Sequence, residues 1–270
     1  MAAPEFVAPG DVAAFDGVVL DCRFSLADAG EGERSFLEGH IPGAGYLHLN
    51  RDLSGLVGEH GGRHPMPDTS AFAQVLAERG IGLETPVLLY DDSRYAFAAR
   101  AWWMMRALGY RQPAFVTGGY SSWLKEGIEP EVGEAEMHAV ATPEVRSDWP
   151  LWTDREGLRA LQAAGAQLID AREAPRYRGE VEPIDPVAGH IPGADNVPWG
   201  DHFAGDGALL SVDEMRALWG RHKDADPLVV YCGSGVTACV DLLALALMGR
   251  EDAWLYGGSW SDWCSYLPKD

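Results

Sequence analysis

Residues 229–238 of the chain read Val229-Val230-Tyr231-Cys232-Gly233-Ser234-Gly235-Val236-Thr237-Ala238. The apolar run that ends at Tyr231 is typical of a buried strand. The apolar segment from Val236 to Met248 predicts a helix that stops at Gly249, since glycine is favoured just after a helix C-terminus. The segment therefore predicts a strand, a tight loop and a helix, which is the repeating unit of α/β folds.

The loop between this strand and this helix contains the candidate nucleophile. Cys232 stands close to a predicted helix N-terminus, where unpaired amides and the helix dipole favour negative charge. Gly233 and Gly235 allow the backbone to curl, so that further amides point at the sulfur and stabilise the thiolate. We therefore predict Cys232 as the nucleophile. The loop residues expected to surround it are Gly233, Ser234, Gly235, Val236 and Thr237.

The same pattern occurs twice along the chain. Gly39-His40-Ile41-Pro42-Gly43-Ala44 recurs as Gly189-His190-Ile191-Pro192-Gly193-Ala194, 150 residues later. The run Val87 to Tyr90 followed by Asp91 matches the run Leu228 to Tyr231 followed by Cys232, 141 residues later. Matches in the same order indicate a duplication. We predict a first domain over 1–127, a linker over 128–149 and a second domain over 150–270.

The duplication separates scaffold from function. Apolar strands alternate with helical segments in both halves, which predicts an α/β fold with a parallel β-sheet flanked by helices in each domain. His40 and His190 occur in both halves and are predicted to hydrogen-bond a turn. Asp91 replaces the cysteine in the first half, so only the second domain is predicted to perform thiol chemistry. Outside the predicted loop, Cys22, Cys239 and Cys264 are predicted to be small core residues.

Composition bounds the partners and the compartment. The net charge of −20 disfavours binding to nucleic acid and to anionic membranes, since both require clustered Lys and Arg. Neither a signal peptide nor an apolar run long enough to span a bilayer is recognisable. The four cysteines lack the paired spacing of a disulfide framework or a zinc site, so we expect a cytoplasmic, reducing environment and no metal.

The paired Gly-His-Ile-Pro-Gly-Ala motifs, the Cys232–Ala238 loop and the closing Gly258-Ser259-Trp260-Ser261-Asp262-Trp263 together resemble a tandem-domain rhodanese-type sulfurtransferase. The uncharged loop is more similar to the 3-mercaptopyruvate branch of that family than to the thiosulfate branch, whose loop carries basic residues. The resemblance implies two rhodanese-like domains, an inactive first one and a site in the cleft between them. It also implies a Cys232 persulfide, no cofactor, and cyanide, a small thiol or a thioredoxin-like protein as sulfur acceptor.

The resemblance also suggests how a donor is bound. Arg176, in the setting Arg176-Tyr177-Arg178-Gly179, matches the family's substrate-binding arginine. Mercaptopyruvate keeps its carboxylate a few bonds from the reacting sulfur, so an arginine outside the loop suits it. Nine residues after Arg176, where mercaptopyruvate enzymes tend to have a second arginine, this chain has Asp185, and Arg178 is the candidate substitute.

A proton relay is the second feature that the resemblance implies. His64 matches a histidine that the family pairs with the loop serine, here Ser234. The acidic member of that relay falls at Asn50, which cannot act as a base. Either Asp52 replaces it or the relay is not needed. We therefore expect His64 to contact the donor or Ser234, with Ser234 as a catalytic residue.

The sequence is also compatible with three other functions. A thiosulfate:cyanide sulfurtransferase on the same scaffold is favoured by Asp185 and disfavoured by the uncharged loop. A cysteine-dependent phosphatase or arsenate reductase would need an arginine six residues after Cys232, where the chain has Ala238. A non-catalytic protein-binding module would fit the duplicated scaffold, although the second half keeps its cysteine.

Overall fold

The computed structural model describes residues 3–268, and these divide into two compact units. The first unit consists of residues 3–55 and 67–150, and the second of residues 56–66 and 151–268. Residues 128–149, which the sequence predicts as a linker, pack on the first unit. Glu131 pairs with His40 in an antiparallel bridge, and the Val140 N–H donates to the carbonyl of Ala77. The domain boundaries at 127 and 150 stay a prediction, to which the structure adds the grouping of residues 56–66.

Each unit is built on one five-stranded parallel sheet. In the first unit the strands are β1 (Phe6–Val7), β2 (Val18–Asp21), β3 (Gly45–Tyr46), β4 (Val87–Tyr90) and β5 (Ala114–Val116). In the second unit they are β6 (Trp152–Thr153), β7 (Gln167–Asp170), β8 (Ala194–Asn196), β9 (Leu228–Tyr231) and β10 (Trp254–Tyr256). The strand orders, β1-β5-β4-β2-β3 and β6-β10-β9-β7-β8, are the same arrangement twice. The predicted fold class is therefore confirmed.

Helices connect the strands in both units. Those of the first are α1 (Glu31–Glu38), α2 (Leu49–Asp52), α3 (Thr69–Glu78), α4 (Ala98–Ala107) and α5 (Gly119–Leu124), with a 3-10 helix over Pro9–Ala14. Those of the second are α6 (Arg155–Ala163), α7 (Ala174–Tyr177), α8 (Val212–Trp219), α9 (Ala238–Leu247) and α10 (Ser259–Cys264), with 3-10 helices over Trp199–His202 and His222–Asp224. Among the residues that the structure describes, no helix is both long and apolar enough to cross a bilayer.

The sequence explains why the central strands form. Every residue of β4 and β9 is buried, as expected for strands covered by helices on both faces of a parallel sheet. The helix after β9 ends where the sequence predicts, because Gly249 takes a positive φ of 88° beyond its last turn. Parallel strands all end at the same edge of the sheet, so the loop after β9 lies at the edge where α/β folds place their sites.

The repeated motifs act as scaffold in both units. Nδ1 of His40 lies 2.8 Å from the carbonyl oxygen of Phe36, and Nδ1 of His190 lies 2.8 Å from that of Tyr177. Each imidazole also stacks on the ring of the residue whose carbonyl it contacts. The prediction that these two histidines hydrogen-bond a turn is confirmed.

Candidate active site

Cys232 is the first residue after β9, and its side chain is buried. Its backbone is fixed on both sides by the N-terminal turn of α10. The N–H of Cys232 donates to Oγ of Ser259 at 3.1 Å, and its carbonyl accepts the N–H of Trp260 at 3.0 Å. The thiol is free, as are the other three cysteines of the chain, all of which are buried. The loop therefore holds one cysteine at a defined place before a helix.

The amides that follow Cys232 are available to an anion. The N–H groups of Val236, Thr237 and Ala238 have no hydrogen-bond partner within residues 3–268. They stand at the start of the ten-residue helix α9, where unpaired N–H groups and the helix dipole favour negative charge. This arrangement suits a thiolate or a persulfide anion at Cys232.

The two loop glycines are needed for different reasons. Gly235 has φ of +76°, and a Cβ added there would lie 2.3 Å from the carbonyl oxygen of Gly257. Position 235 therefore requires glycine for two reasons: its φ is positive, and the backbone of Gly257 leaves no room for a Cβ. Gly233 has no positive φ. A Cβ there would lie 3.1 Å from Nη2 of Arg63 and 3.5 Å from both Nη atoms of Arg176. Its missing side chain leaves room for two guanidinium groups.

Two acidic residues hold the Arg176 guanidinium. Its Nη2 donates to Oε1 of Glu182 at 2.7 Å, and it lies 3.6 Å from Oδ2 of Asp185. Burial acts to raise the pKa of Glu182, but hydrogen bonds from Arg176 and from backbone amides more than offset it, so that pKa is lowered. Burial raises the pKa of Asp185, against the opposing effect of its ion pair with Arg63. Glu182 is itself fixed by Arg172, at 3.1 Å.

Residues 60–64 bring a histidine and a second arginine to the loop. Nδ1 of His64 lies 2.8 Å from Oγ of Ser234, and both side chains are buried. The segment is bound along α10, because the N–H of Gly61 donates to Oδ1 of Asp262 at 2.7 Å and that of Arg63 to Oγ of Ser261 at 3.1 Å. The Arg63 guanidinium is ion-paired with Asp185.

The structure thus brings together most of the residues that the sequence singles out. Cys232, Ser234, Arg176 and His64 all belong to the second unit, together with the loop residues Gly233, Gly235, Val236 and Thr237. Arg178 is placed elsewhere. Its guanidinium forms two hydrogen bonds with Glu180, at 2.7 and 2.8 Å, and its side chain is half exposed. The roles of these residues in binding and catalysis stay predictions.

The acidic candidate for the relay has other partners. The Asp52 carboxylate accepts hydrogen bonds from Nη2 of Arg79, from Nε of Arg51 and from the N–H of His48, all within the first unit. Asn50 lies beside it in α2. These contacts give the Asp52 carboxylate a structural role in the first unit.

Sequence reasoning missed two functional candidates, Arg63 and Glu182. Arg63 directly precedes His64 in the chain, but no periodicity shows that it approaches Gly233. Glu182 lies in a loop rich in charge, where a buried acid has no distinguishing pattern. The useful signal was the mismatch at Asp185, since an acid in place of an arginine implies that some other cation lies close by.

The family model described as "Rhodanese-like domain" matches residues 9–126 and 154–266. Two curated relatives have provisional names. A Pseudomonas aeruginosa protein named as a probable 3-mercaptopyruvate sulfurtransferase is 44% identical over 254 residues, covering 92% of this chain and 89% of its own. A Mycobacterium tuberculosis protein provisionally named thiosulfate sulfurtransferase SseB is 39% identical over 252 residues, covering 92% and 87%.

Two solved structures superpose on nearly the whole of this chain. The 3-mercaptopyruvate sulfurtransferase from Leishmania major superposes with a TM-score of 0.87 at 30% identity, over 98% of this chain and 75% of that one. SseA from Escherichia coli, described as having the rhodanese fold of 3-mercaptopyruvate sulfurtransferases, superposes with a TM-score of 0.80 at 31% identity, over 96% of this chain and all of that one.

Proposed function

This chain belongs to the rhodanese-like family, as its motifs predicted, and we propose that its second unit transfers sulfane sulfur from 3-mercaptopyruvate through a Cys232 persulfide. The observation that carries the proposal is the Cys232 loop. A buried, free cysteine stands before a helix, and the amides of Val236, Thr237 and Ala238 have no other partner among the described residues. Such amides stabilise charge on sulfur both before and after the transfer.

The first chemical step can be written with its atoms and electrons balanced. The Cys232 thiolate attacks the thiol sulfur of the donor, and an S–S bond forms. The C–S bond breaks, and its electron pair moves to carbon, which gives the enolate of pyruvate. The proton of the donor thiol ends on that carbon. A thiolate and 3-mercaptopyruvate thus become a persulfide anion and pyruvate, with no external oxidant.

Arg176 supports this choice of donor. Its guanidinium lies beside Gly233, so an anionic group a few bonds from the transferred sulfur can reach it while the sulfur meets Cys232. Glu182 holds Nε and Nη2 of Arg176 at 3.3 and 2.7 Å, which fixes the plane of the fork. We assign Arg176 to the donor carboxylate.

Ser234 and His64 are proposed as the group that moves the proton. Their side chains are 2.8 Å apart and buried, and Ser234 stands two residues after the nucleophile. A hydroxyl paired with an imidazole can accept the thiol proton and return it to the enolate carbon. In the second half-reaction the persulfide gives its outer sulfur to cyanide, a small thiol or a thioredoxin-like protein. We expect this chemistry in the cytoplasm, where the four free cysteines stay reduced.

The test is steady-state sulfur transfer to cyanide with 3-mercaptopyruvate and with thiosulfate, compared by kcat/KM. We expect a preference for 3-mercaptopyruvate of about a hundredfold, or ~2.7 kcal/mol of differential transition-state binding. Mass spectrometry of the protein after donor treatment should show one added sulfur, which is absent in Cys232→Ser. A Cys232→Ser variant with full turnover would rule out the proposed mechanism.

Thiosulfate is the second candidate donor, and the guanidinium groups of Arg63 and Arg176 favour it. The loop itself is uncharged, but Arg63 and Arg176 place positive charge within 3.5 Å of a Cβ position on Gly233. Thiosulfate is a dianion whose charge arrives close to the reacting sulfur. Equal or higher kcat/KM with thiosulfate would select this donor, and no turnover with either would favour the protein-binding module.

A further inference from the structure

The Arg63 guanidinium, beside the nucleophile loop, has no role in the mercaptopyruvate chemistry described so far. Nη1 of Arg63 is ion-paired with Oδ1 of Asp185, and its Nη2 is the closest group to a Cβ position on Gly233, at 3.1 Å. The Arg63 side chain is 28% exposed, whereas that of Asp185 is 3% exposed. One face of the guanidinium fork is thus fixed by a buried acid, and another part of the side chain stays open.

The backbone of Arg63 is anchored next to the catalytic loop. Ser261 accepts its N–H through Oγ, and the N–H of the same Ser261 donates to the carbonyl of Gly233 at 2.9 Å. Gly62, with φ of +84°, packs so close that an added Cβ would lie 2.5 Å from the carbonyl oxygen of Gly258. Arg63 and the loop are therefore held by the same turn of α10, which limits their relative movement.

Asp185 keeps two positive groups close together. Its Oδ1 binds Arg63, and its Oδ2 lies 3.6 Å from Nη2 of Arg176 without a hydrogen bond of its own within the described chain. Two guanidinium groups near one glycine repel each other unless an anion stands between them. The buried carboxyl of Asp185 supplies that anion.

We propose that Arg63 is a donor-binding residue, which together with Arg176 forms a two-armed site for the carboxylate and the keto oxygen of a 3-mercapto-2-oxo acid. Asp185 is the positioning residue that orients Arg63. The proposal rests on the proposed function and adds a binding group from outside the loop. A 2-oxo acid presents two adjacent oxygen-bearing carbons, and two guanidinium groups can contact both while its sulfur faces Cys232. Donation to the keto oxygen also stabilises the enolate that forms when the C–S bond breaks.

The first experiment measures turnover with 3-mercaptopyruvate and, separately, discharge to cyanide of a Cys232 persulfide preloaded with sodium polysulfide. For Arg63→Ala we expect kcat/KM for 3-mercaptopyruvate to fall at least about tenfold, the loss of one good charged contact, with persulfide discharge within about twofold of wild type. Arg63→Lys should restore little, because an ammonium lacks the planar fork. Arg216→Ala is the matched control, since Arg216 pairs with Asp213 in an exposed i,i+3 bridge. A change of less than about twofold in Arg63→Ala would overturn the proposal.

The second experiment tests the ion pair. Arg63→Asp leaves two carboxyl groups facing each other, and Asp185→Arg leaves two guanidinium groups; each should lose donor turnover. The double variant Arg63→Asp with Asp185→Arg restores one ion pair and one nearby guanidinium, so it should recover at least about tenfold over Arg63→Asp. Asp185→Asn should raise KM more than it lowers kcat, and Asp185→Glu should return part of the loss. A double variant no better than Arg63→Asp would overturn the positioning role of Asp185.

A third measurement separates this proposal from the proposed function. In a Cys232→Ser background, calorimetric titration with 3-mercaptopyruvate reports binding without turnover. Arg63→Ala in that background should weaken binding at least about tenfold. If wild-type protein does not turn over 3-mercaptopyruvate but this difference in binding is seen, the proposed function fails and the Arg63 site stands. If wild type turns over the donor and the two titrations agree within about twofold, the Arg63 site fails and the function stands.

Discussion

The two units contain the same strand–loop–helix segment, but the backbone amides of the first loop bind a carboxylate and those of the second are open. After β4, the Asp91 carboxylate accepts four backbone N–H groups, from Ser93, Tyr95, Phe97 and Ala98, at 2.8 to 3.0 Å. After β9, Cys232 occupies the same place, and the N–H groups of Thr237 and Ala238 have no partner within residues 3–268. The first loop has its anion built in.

This difference explains what the duplicated scaffold contributes. The carbonyl of Asp91 accepts the N–H of Tyr120 at 3.0 Å, just as that of Cys232 accepts the N–H of Trp260. Both loops are therefore held by the first turn of the helix that follows the last strand of the sheet. The scaffold supplies a loop of backbone amides, and the residue after the strand decides whether its own side chain accepts them, as Asp91 does, or leaves them open, as Cys232 does. Burial raises the pKa of Asp91 even though its four amide bonds act in the other direction.

The largest expected effect comes from making the second loop like the first. Cys232→Asp places a carboxylate where the open amides are, so we expect sulfur transfer to fall by roughly 10⁴-fold or more, because the nucleophile is lost. Thermal stability should be no lower than that of Cys232→Ser, since the carboxylate can accept the free N–H groups. A Cys232→Asp variant with measurable persulfide formation would contradict the assignment of the nucleophile.

The reverse test removes the built-in anion of the first loop. Asp91→Ala leaves four buried N–H groups without an acceptor, so we expect the first unit to lose about 3 kcal/mol of stability. Hydrogen exchange of residues 87–107 should report this loss while the second unit is unchanged. Asp92→Ala is the control, because the Asp92 side chain accepts hydrogen bonds from Ser121 at the surface. Equal exchange in both variants would show that the amides do not depend on Asp91.

Arg176→Ala tests another difference between the two loops, which is the presence of guanidinium groups beside the second one. Gly233 leaves room for two guanidinium groups beside the second loop, whereas the first loop, residues 91–97, contains no glycine. We expect kcat/KM for 3-mercaptopyruvate to fall about 10- to 100-fold, mainly through KM, because donor orientation is lost. Discharge of a preloaded persulfide to cyanide should be unchanged. A fall of the same size in that half-reaction would assign Arg176 to the persulfide and not to the donor.

The smallest expected effect concerns the helices after the two loops. At the fourth residue, α4 has buried Ala101 and α9 has Asp241, whose carboxyl oxygens make no hydrogen bond within the described chain. Burial, followed by the charges of Cys232, Asp170 and Asp201, raises the pKa of Asp241 well above 3.8. A raised folded-state pKa gives stability that is present below the unfolded pKa and lost as pH rises through the folded one.

Asp241→Ala should therefore stabilise the second unit by about 1 kcal/mol at pH 8 and by less at pH 5. His202, 3.6 Å from Asp241, has its pKa lowered to about 4 by burial, so it stays neutral in the folded protein at both pH values. The comparison of Tm at the two pH values checks the sign. A gain that is larger at pH 5 than at pH 8 would mean that the Asp241 carboxyl is not the titrating group.

Local patterns predicted much of this molecule. The runs ending at Tyr90 and Tyr231 are strands, Gly249 ends α9, and the two motif histidines bind the carbonyls of Phe36 and Tyr177. These features depend on the periodicity of burial and on backbone conformation within a few residues, so the local sequence is enough to predict them. The duplication added an internal control, because it showed which residues differ between two copies of one scaffold.

Other features were beyond such patterns because they depend on residues far apart in the chain. Asp185 and Arg63 are 122 positions apart, and nothing in either segment alone indicates their ion pair. Arg178 is the candidate substitute for the second arginine missing at position 185, but an acid two residues away, Glu180, binds it at the surface. A charged side chain takes the partner that the folded backbone brings within reach, and the sequence neighbourhood cannot rank those partners.

The order of amino acids by itself therefore determined the α/β architecture and its duplication and led to the prediction of Cys232 as the nucleophile, since each of these depends on local geometry repeated along the chain. Only the tertiary structure decided which cations lie beside Gly233. It also decided that residues 56–66 belong to the second unit. The physical reason is that the position of a charged group is set by long-range packing, where a hydrogen bond to α10 or a buried carboxyl such as Asp185 outweighs any local preference.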